Sequence, residues 1–301
     1  KFQSFTADEI ATKNFKFNKI KNKFKKFSNN LFDFYKKFEL PEEFNLKISQ
    51  HCKKKKILFL TLVLGKKSLN LSHNLSSIIK IASFEANYYE LFDDIIKLKK
   101  PIIISTGCSS ENHILKIKKF FRGKKYTNFA ILHCGSAYPL NHGDANLNYI
   151  KSLKKIFPKN TIGYSDHTMG IETCLAAVSL GARIIEKHFT ISNGDGAPDS
   201  FFSLEEKELK LMIDSIRKIE QSLGISKKIL TKSVKSMANG QRSYYALENF
   251  EKGKSIKKNM LQALRPYVKN SITIDKYFEI VNKKKLKKKI KKGFPLMKYH
   301  I

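Results

Sequence analysis

From residue 1 to about residue 225, short β-rich runs alternate with longer amphipathic stretches. This alternation predicts an α/β protein in which parallel strands are joined by crossover helices. The predicted strands are short and apolar, as buried parallel strands are, and cover residues 1–3, 57–63, 78–83, 101–105, 129–134, 161–167 and 183–189. Seven such units predict a (β/α)8 TIM barrel that lacks its first strand in this chain. Because residue 1 is Lys rather than Met, we expect that strand upstream, in a longer natural chain.

Polar stretches set the predicted domain boundaries. The barrel is expected to cover residues 1–225, and its last helix is predicted to begin with a capping box of Ser203 and Glu206 and to end at Gly224. Residues 226–241 are rich in Lys and Ser, which is typical of a linker. Residues 242–301 then form a second domain that is too short to bury a large core of its own.

Composition limits the classes of protein that fit. Apolar residues make up 42% of the chain and include 23 Phe, which is typical of a globular protein. Apolar runs all fall well short of the ~20 residues of a membrane-spanning helix, so we expect no membrane partner. The four cysteines lack C-x-x-C spacing and are predicted to be reduced thiols of a cytoplasmic protein.

The formal net charge of +32 raises nucleic acid as an alternative partner. Lysines are spread along the chain, with denser runs at residues 53–56 and 283–292, and no Arg or aromatic platforms are organised around those runs. This distribution favours a solvated surface that also attracts an anionic substrate. It disfavours nucleic acid as the partner.

Two histidines, His167 and His188, each follow an apolar strand-like run, and a helix-like stretch separates the two runs. Consecutive parallel strands lie side by side with their carboxyl ends at the same face, so the two imidazoles are expected to meet where ligands bind. Two neutral imidazoles with open positions for water and substrate are typical of a catalytic metal site. The alternative is a pair of hydrogen-bonded structural histidines.

Other predicted strand ends and loops carry a cation, hydroxyls, carboxylates and a phenol. Ser105 precedes Thr106-Gly107 at the predicted start of a helix, where free backbone N–H groups favour an anion. Together with a two-His site, these groups predict a phosphorylated small substrate and a metal-polarised carbonyl, although each group by itself is equally compatible with a turn or a cap. The groups belong to Lys80, Ser83, Glu85, Ser105, Ser136, Tyr138 and Asp199.

A series of motifs along the chain resembles the sialic acid synthase family, which joins phosphoenolpyruvate to an amino-sugar aldehyde and releases phosphate. The resemblance covers nearly all 301 residues, and residues 242–301 resemble the C-terminal antifreeze-like (SAF) domain of that family. The motifs, in order, are K-F-Q-S-F, K-I-A-S-F-E, I-I-S-T-G, L-H-C-x-S-x-Y-P, Y-S-D-H-T-M-G-I, I-E-K-H-F-T, P-D-S-F-F-S-L-E and L-R-P.

The resemblance implies a role for each candidate residue. His167 and His188 match the ligands of a divalent metal, Mn²⁺ or Mg²⁺, that polarises the sugar aldehyde. Positions that hold phosphoenolpyruvate match Lys1, Lys80, Ser83, Ser105 and Ser165, with Ser136 beside them. Positions that face the acceptor sugar match Gln3, Glu85, Tyr138 and Asp199, and catalysis is assigned to Lys80, Glu85 and Asp199.

The L-R-P motif implies a homodimer. Its arginine, Arg265, matches a residue that reaches from the small domain into the active site of the partner subunit. The small domain would then cover the barrel of its neighbour.

Within the family, K-I-A-S-F-E and P-D-S-F-F-S-L-E are most similar to the pseudaminic acid branch. The implied reaction converts 2,4-diacetamido-2,4,6-trideoxy-L-altrose to pseudaminic acid. N-Acetylneuraminate synthesis, legionaminate synthesis and a non-catalytic paralogue that binds phosphoenolpyruvate or a sugar remain alternatives. One departure favours the last of these: L-T-L-V-L stands where the family has S-T-P-F, which leaves Thr61 as the nearest hydroxyl.

Overall fold

A computed structural model of the protein describes residues 1–14, 28, 30–237 and 240–301. The chain divides into two compact units, Lys1–Gly224 and Ile225–Ile301. Residues 238 and 239 of the predicted linker lie outside the described residues.

The first unit is built on one parallel sheet. Its six strands follow one another in chain order, and every neighbouring pair is parallel. This arrangement confirms the predicted parallel α/β fold and is consistent with part of a TIM-like barrel. The strands are β1 Leu62–Val63, β2 Ile79–Ile81, β3 Ile102–Ser105, β4 Phe129–Cys134, β5 Thr161–Asp166 and β6 Ile184–Lys187.

The first two predicted strands are much shorter than expected. From residues 1–3, only Phe2 pairs, through a single parallel bridge to Thr61. From residues 57–63, only β1 is a regular strand, because Ile57 and Leu58 are each 64% exposed and have no sheet partner. Apolar composition alone therefore overestimated the length of this edge of the sheet.

Among the described residues of the first unit, nine helices connect or flank these strands. The sequence places apolar residues on one side of the longer ones, so that they pack on the sheet. Among the described residues, the helices are α1 Ala7–Ile10, α2 Leu31–Lys37, α3 Glu42–Lys54, α4 Lys66–Leu75, α5 Tyr89–Lys97, α6 Glu111–Gly123, α7 Tyr149–Ile156, α8 Glu172–Ser179 and α9 Glu206–Leu223.

The last of these helices begins differently from the prediction. Glu205, not Ser203, is the N-cap residue, and its backbone N–H is bound by the carboxylate of Glu208. The Ser203 hydroxyl instead donates to the carbonyl of Asp199, because the preceding loop folds back on itself. The predicted end is confirmed, since α9 stops before Gly224, whose φ of +55° favours glycine.

The core of the first unit lies between the sheet and its helices. Branched side chains of the central strands are fully buried there, and aromatic rings of α5 and α6 pack onto them. Since these apolar contacts hold the strands in register, the polar side chains at the carboxyl ends of the strands have fixed positions. The principal contributors are Ile79, Ile81, Phe92, Ile104, Phe121 and Ile131.

The second unit has a small core of its own. Strands β7 Ser243–Ala246 and β8 Leu261–Leu264 are antiparallel, and the unit also contains α10 Lys232–Ser236 and α11 Tyr277–Ile280. Eleven buried apolar side chains pack together within it. Leu286 and Ile290 are among them and anchor the Lys-rich run, whose lysines are exposed.

Among the described residues, no helix combines the length and the apolar character needed to cross a membrane.

Candidate active site

A cavity of about 1000 Å³ in the first unit gathers most of the candidate residues. It opens at the carboxyl ends of the strands, where α/β folds bind their ligands. The predicted site residues that line it are Lys1, Gln3, Lys80, Ser83, Glu85, Ser105, Ser136, Tyr138, Ser165, His167, His188 and Asp199.

Two further candidate residues are Arg265 and Thr61. Arg265 is an exposed residue of the second unit. Thr61 is fully buried, and its hydroxyl accepts a hydrogen bond from the backbone N–H of Ser4 at 3.0 Å. It therefore offers no hydroxyl to a ligand, and Leu62 and Leu64 line the cavity beside it.

The floor of the cavity is a charged cluster held by the strands. The Lys80 ammonium donates to the Ser105 hydroxyl at 2.8 Å and to the Ile81 carbonyl at 2.7 Å. The Lys1 ammonium lies 2.9 Å from Glu186, whose carboxylate is also 3.7 Å from Lys80. With two ammonium groups and one carboxylate, the floor carries a net positive charge that suits an anionic ligand.

Glu186 is a residue that the sequence reasoning missed. It accepts a hydrogen bond from Ser165 at 2.8 Å and links the two lysines. Alternation along the strand was the available signal: Glu186 stands two positions before His188, so both side chains face the same side of β6 and its extension.

The pKa values of these groups reflect burial and pairing. Burial lowers the pKa of Lys80 to about 8, although Glu186 opposes the change. Burial by itself would raise the pKa of Glu186, but Lys80 and Lys1 outweigh it and lower that pKa to about 2. At neutral pH, Lys80 is therefore mainly charged and Glu186 is ionised.

His167 and His188 meet at the cavity as predicted, with ring centroids 5.2 Å apart. His167 Nδ1 lies 2.7 Å from the Gly135 carbonyl, which can only accept, so Nδ1 carries the proton and Nε2 has a free lone pair. Burial lowers the pKa of both imidazoles, and the neighbouring His167 helps to lower that of His188 to about 3. Both rings are neutral at physiological pH.

This donor set fits a divalent metal with few protein ligands. Neutral imidazoles are the form that binds a metal, and a carbonyl that fixes the tautomer of one ring is a common support for such a ligand. Asp199 lies nearby, with Oδ2 at 3.8 Å from His188 Nδ1. Among the described residues, no group of three or more His, Cys, Asp and Glu forms a metal cage. His167 and His188 would therefore share the ion with water or substrate oxygen.

A buried ion pair holds the two histidines from the other side of the sheet. Asp166 and Lys187 are register partners in β5 and β6, and their charged atoms lie 2.6 Å apart, almost fully buried. Burial by itself would raise the pKa of Asp166, but Lys187 lowers it below its usual range. Because each member directly precedes a histidine, the pair joins the two strand ends that carry the imidazoles.

The loop after β3 is shaped to approach its neighbours closely. The Gly107 N–H donates to the Ser83 hydroxyl at 2.9 Å. A Cβ atom at Gly107 would lie 2.2 Å from the Ser136 hydroxyl and 2.9 Å from the Cys134 sulfur, so any larger residue would displace these side chains. Hydroxyls of Ser83, Ser105 and Ser136 are thereby brought to one side of the cavity.

Glu85 is a carboxyl group in an apolar setting. Burial raises its pKa to about 7, and its Oε2 atom is buried without a hydrogen-bond partner among the described residues. A ligand with an N–H or O–H group would satisfy that oxygen. Tyr138 lies on the same cavity, with its ring 4.2 Å from that of His167.

A parallel α/β sheet with lysines, hydroxyls and paired imidazoles at its carboxyl edge suits the binding of a small anionic ligand. The NeuB family model matches residues 1–228. The pseudaminic acid synthase of Campylobacter jejuni is 35% identical over 237 residues, which are 78% of this chain and 69% of that protein. The N,N'-diacetyllegionaminic acid synthase of the same organism is 34% identical over 287 residues, which are 94% of this chain and 85% of that protein.

A solved structure from the same group of synthases is also similar to this chain. The N-acetylneuraminic acid synthetase of Leptospira borgpetersenii, crystallised with citrate, is 32% identical and has a TM-score of 0.67 over 78% of this chain and 77% of its own. The chain belongs to the NeuB family, and the predicted resemblance to sialic acid synthases is confirmed.

Proposed function

We propose that the protein is a nonulosonic acid synthase that condenses phosphoenolpyruvate with an amino-sugar aldehyde, most similar in its motifs to pseudaminic acid synthases. The observation that supports this most directly is one cavity that holds both a positively charged, hydroxyl-rich floor and two neutral imidazoles. A phosphate ester and a carbonyl compound need these two kinds of site side by side.

The floor would bind phosphoenolpyruvate. Lys1 and Lys80 compensate its negative charge, and the hydroxyls of Ser83 and Ser105 donate charge-assisted hydrogen bonds to its oxygens, with Ser165, which donates to Glu186, beside them. Glu186 pairs with both ammonium groups, at 2.9 Å from Lys1 and 3.7 Å from Lys80. Binding both substrates on one platform replaces a bimolecular encounter by a positioned one.

The proposed reaction forms one carbon–carbon bond and, at C2 of phosphoenolpyruvate, replaces the bond to the phosphate oxygen by a bond to the oxygen of water. C3 of the enol attacks the sugar aldehyde, water adds at C2, and the resulting tetrahedral carbon expels inorganic phosphate. Mn²⁺ or Mg²⁺ bound by His167 and His188 would supply polarisation of the aldehyde. Glu85 and Asp199 face the acceptor side, where a carboxyl group with a pKa near 7 can hold or release a proton.

The second unit is proposed to be the antifreeze-like (SAF) domain of a homodimer, in which Arg265 reaches the acceptor site of the partner subunit. The L-R-P motif supports this assignment. The first unit is proposed to belong to a complete (β/α)8 barrel. Its six strands are parallel and sequential, and Phe2 adds a parallel bridge to Thr61 beside β1. Unpaired cysteines support a cytoplasmic location.

The test is phosphate release from phosphoenolpyruvate in the presence of Mn²⁺, with 2,4-diacetamido-2,4,6-trideoxy-L-altrose, the corresponding precursor of legionaminate, or N-acetylmannosamine as acceptor. We expect release with the altrose derivative. Release only with another acceptor would move the protein to that branch of the family. The chain is 35% identical to a pseudaminic acid synthase and 34% identical to a legionaminic acid synthase, so sequence identity does not distinguish these two branches of the family. The choice of acceptor in this assay distinguishes them.

A non-catalytic binding protein is the second candidate, because Leu62 and Leu64 line the cavity where the family motif would place a hydroxyl. Calorimetric titration separates the two. Binding of phosphoenolpyruvate without phosphate release would identify the binding protein, and absence of both would overturn the proposal.

A further inference from the structure

Residues 1–4 form a short extended segment that contributes two side chains to the cavity. Lys1 and Gln3 line the cavity, and between them Phe2 forms the parallel bridge to Thr61. Because side chains alternate along an extended segment, Lys1 and Gln3 share one side and Phe2 and Ser4 share the other. The position of the Lys1 ammonium therefore depends on the contacts that hold Phe2 and Ser4.

Thr61 holds Ser4 with its side chain rather than through the strand backbone. After the bridge at Phe2, a regular parallel ladder would continue with the Ser4 N–H donating to the Leu62 carbonyl. That N–H donates instead to the Thr61 hydroxyl oxygen, at 3.0 Å, and both Ser4 and Thr61 are buried. The ladder therefore ends at this point, and one buried hydroxyl determines where the Ser4 backbone lies.

Asn45 holds the side chain of Ser4 from helix α3. The Ser4 hydroxyl donates to the side-chain oxygen of Asn45, and the Asn45 amide donates to the Pro41 carbonyl at 3.4 Å. Within α3, which the structure describes throughout, Asn45 is the one buried residue. A buried amide costs free energy unless it is hydrogen-bonded, and its contact with Ser4 meets that requirement.

The Lys1 side chain has a second restraint, the ion pair with Glu186 at 2.9 Å. This contact orients the ammonium group, whereas Thr61 and Asn45 fix the backbone from which the side chain extends. A lysine that is held in place before a ligand arrives loses less conformational entropy on binding than a mobile one. The contacts of Ser4 should therefore raise the affinity of the floor for an anion.

We propose that Thr61 and Asn45 are positioning residues of the anion-binding floor: by holding Ser4, they place the Lys1 ammonium where it meets the negative charge of the ligand. This inference rests on the proposed function, in which that ligand is phosphoenolpyruvate. The Thr61 hydroxyl then contributes to ligand binding without touching the ligand.

Calorimetric titration of the full chain with phosphoenolpyruvate, and separately with inorganic phosphate, measures this role. Lys1→Ala should weaken phosphoenolpyruvate binding about 10-fold to 100-fold, because one charged hydrogen-bond donor is lost. Thr61→Val and Asn45→Ala should each weaken it about threefold or more, the scale on which residues of one network are coupled. Thr61→Ser keeps the hydroxyl and should bind as the wild type does.

A double-mutant cycle separates positioning from a general structural role. In the Lys1→Ala background, Thr61→Val should change the affinity by less than about twofold, because the group that Thr61 positions is gone. A role that does not act through Lys1 would give the same loss of affinity in both backgrounds.

Asn160→Ala is the matched control for Asn45→Ala. Asn160 donates to the carbonyls of Thr127 and Phe129, at 3.1 Å and 2.9 Å, at the amino ends of β4 and β5, and it does not line the cavity. Its loss should lower thermal stability and leave both affinities unchanged. Thermal melts identify the folded variants, and if Thr61→Val does not fold, Asn45→Ala carries the same cycle with Lys1→Ala.

The outcomes also separate this inference from the proposed function. Unchanged affinity in the folded variants, or equal losses with and without Lys1, would overturn the positioning role and leave the synthase intact. A Thr61→Ser protein that binds as weakly as Thr61→Val would exclude the hydroxyl as the cause. Binding of inorganic phosphate without phosphoenolpyruvate would overturn the synthase, and the cycle measured with phosphate would still decide the role of Thr61. Binding of neither ligand would overturn both.

Discussion

His188 stands at the end of β6, where it shares the cavity with His167. We expect His188→Ala to weaken Mn²⁺ binding at least tenfold and to abolish metal-dependent phosphate release, because the ion would lose one of its two proposed protein ligands. Calorimetric titration with Mn²⁺ checks the first effect without any assay of activity. His142→Ala is the control, since His142 is exposed and lies outside the cavity. Unchanged Mn²⁺ affinity in folded His188→Ala would remove His188 from the metal site.

Glu85 makes the stability of the protein depend on pH. Its pKa is about 7 in the folded protein, whereas the ordinary pKa of a Glu side chain is 4.5. The folded state therefore holds the proton more tightly than the unfolded state does. Stability contributed by the protonated form is therefore present below pH 4.5 and is lost as the pH rises through 7. Relative to Glu85→Gln, the wild type should lose about 3 kcal/mol of unfolding free energy over that range.

Urea unfolding of both proteins at pH 5 and pH 8 measures this difference. Other titrating groups contribute equally to the two proteins and cancel in the comparison. Parallel pH profiles for wild type and Glu85→Gln would contradict a raised pKa at this position.

At the scale of elements, the Asp166–Lys187 pair joins β5 to β6 behind the histidines. Asp166 also accepts hydrogen bonds from Tyr164, Thr168 and Thr173, so its charge is fully coordinated in the interior. This network explains why a buried charge is tolerated directly beside the site.

We expect Lys187→Met to destabilise the first unit by about 3–5 kcal/mol, because the Asp166 carboxylate is left buried without its partner. The double variant Asp166→Asn/Lys187→Met should recover part of that loss. Denaturant unfolding measures both, with Arg217→Ala as the control. Arg217 pairs with Glu220 at 2.7 Å on the surface, where such a pair contributes less than about 1 kcal/mol. A Lys187→Met protein as stable as the Arg217→Ala protein would show that the pair does not hold the strands together.

At the scale of the whole molecule, the two units have separate cores. Arg265 is an exposed residue of the second unit. If the small unit covers the barrel of a partner, Arg265→Ala should weaken acceptor-sugar binding and leave phosphoenolpyruvate binding unchanged. Lys269→Ala is the matched control, since it removes an exposed charge from the same unit. Titration of a dimer verified by sedimentation measures both affinities. Equal acceptor affinity in the wild-type and Arg265→Ala dimers would rule out this role.

The accuracy of the sequence predictions differs among elements for a physical reason. Strand β4 was predicted with its observed bounds, and β2, β3, β5 and β6 lie inside their predicted ranges, because apolar runs between amphipathic helices are a strong local pattern. The residues before β1 were predicted poorly. The apolar run at residues 57–63 includes the exposed Ile57 and Leu58, which composition cannot distinguish from buried strand positions.

The amino-acid sequence by itself determined the parallel α/β class of the first unit and the placement of His167 and His188 at adjacent strand ends. Both follow from the alternation of strand-like and helix-like segments, which is a local property. Only the tertiary structure decided that Glu186 links Lys1 to Lys80, that Asp166 pairs with Lys187, and that α2 lines the same cavity. These contacts join residues that lie far apart in the chain, so they depend on strand register and on packing of the core rather than on any local sequence pattern.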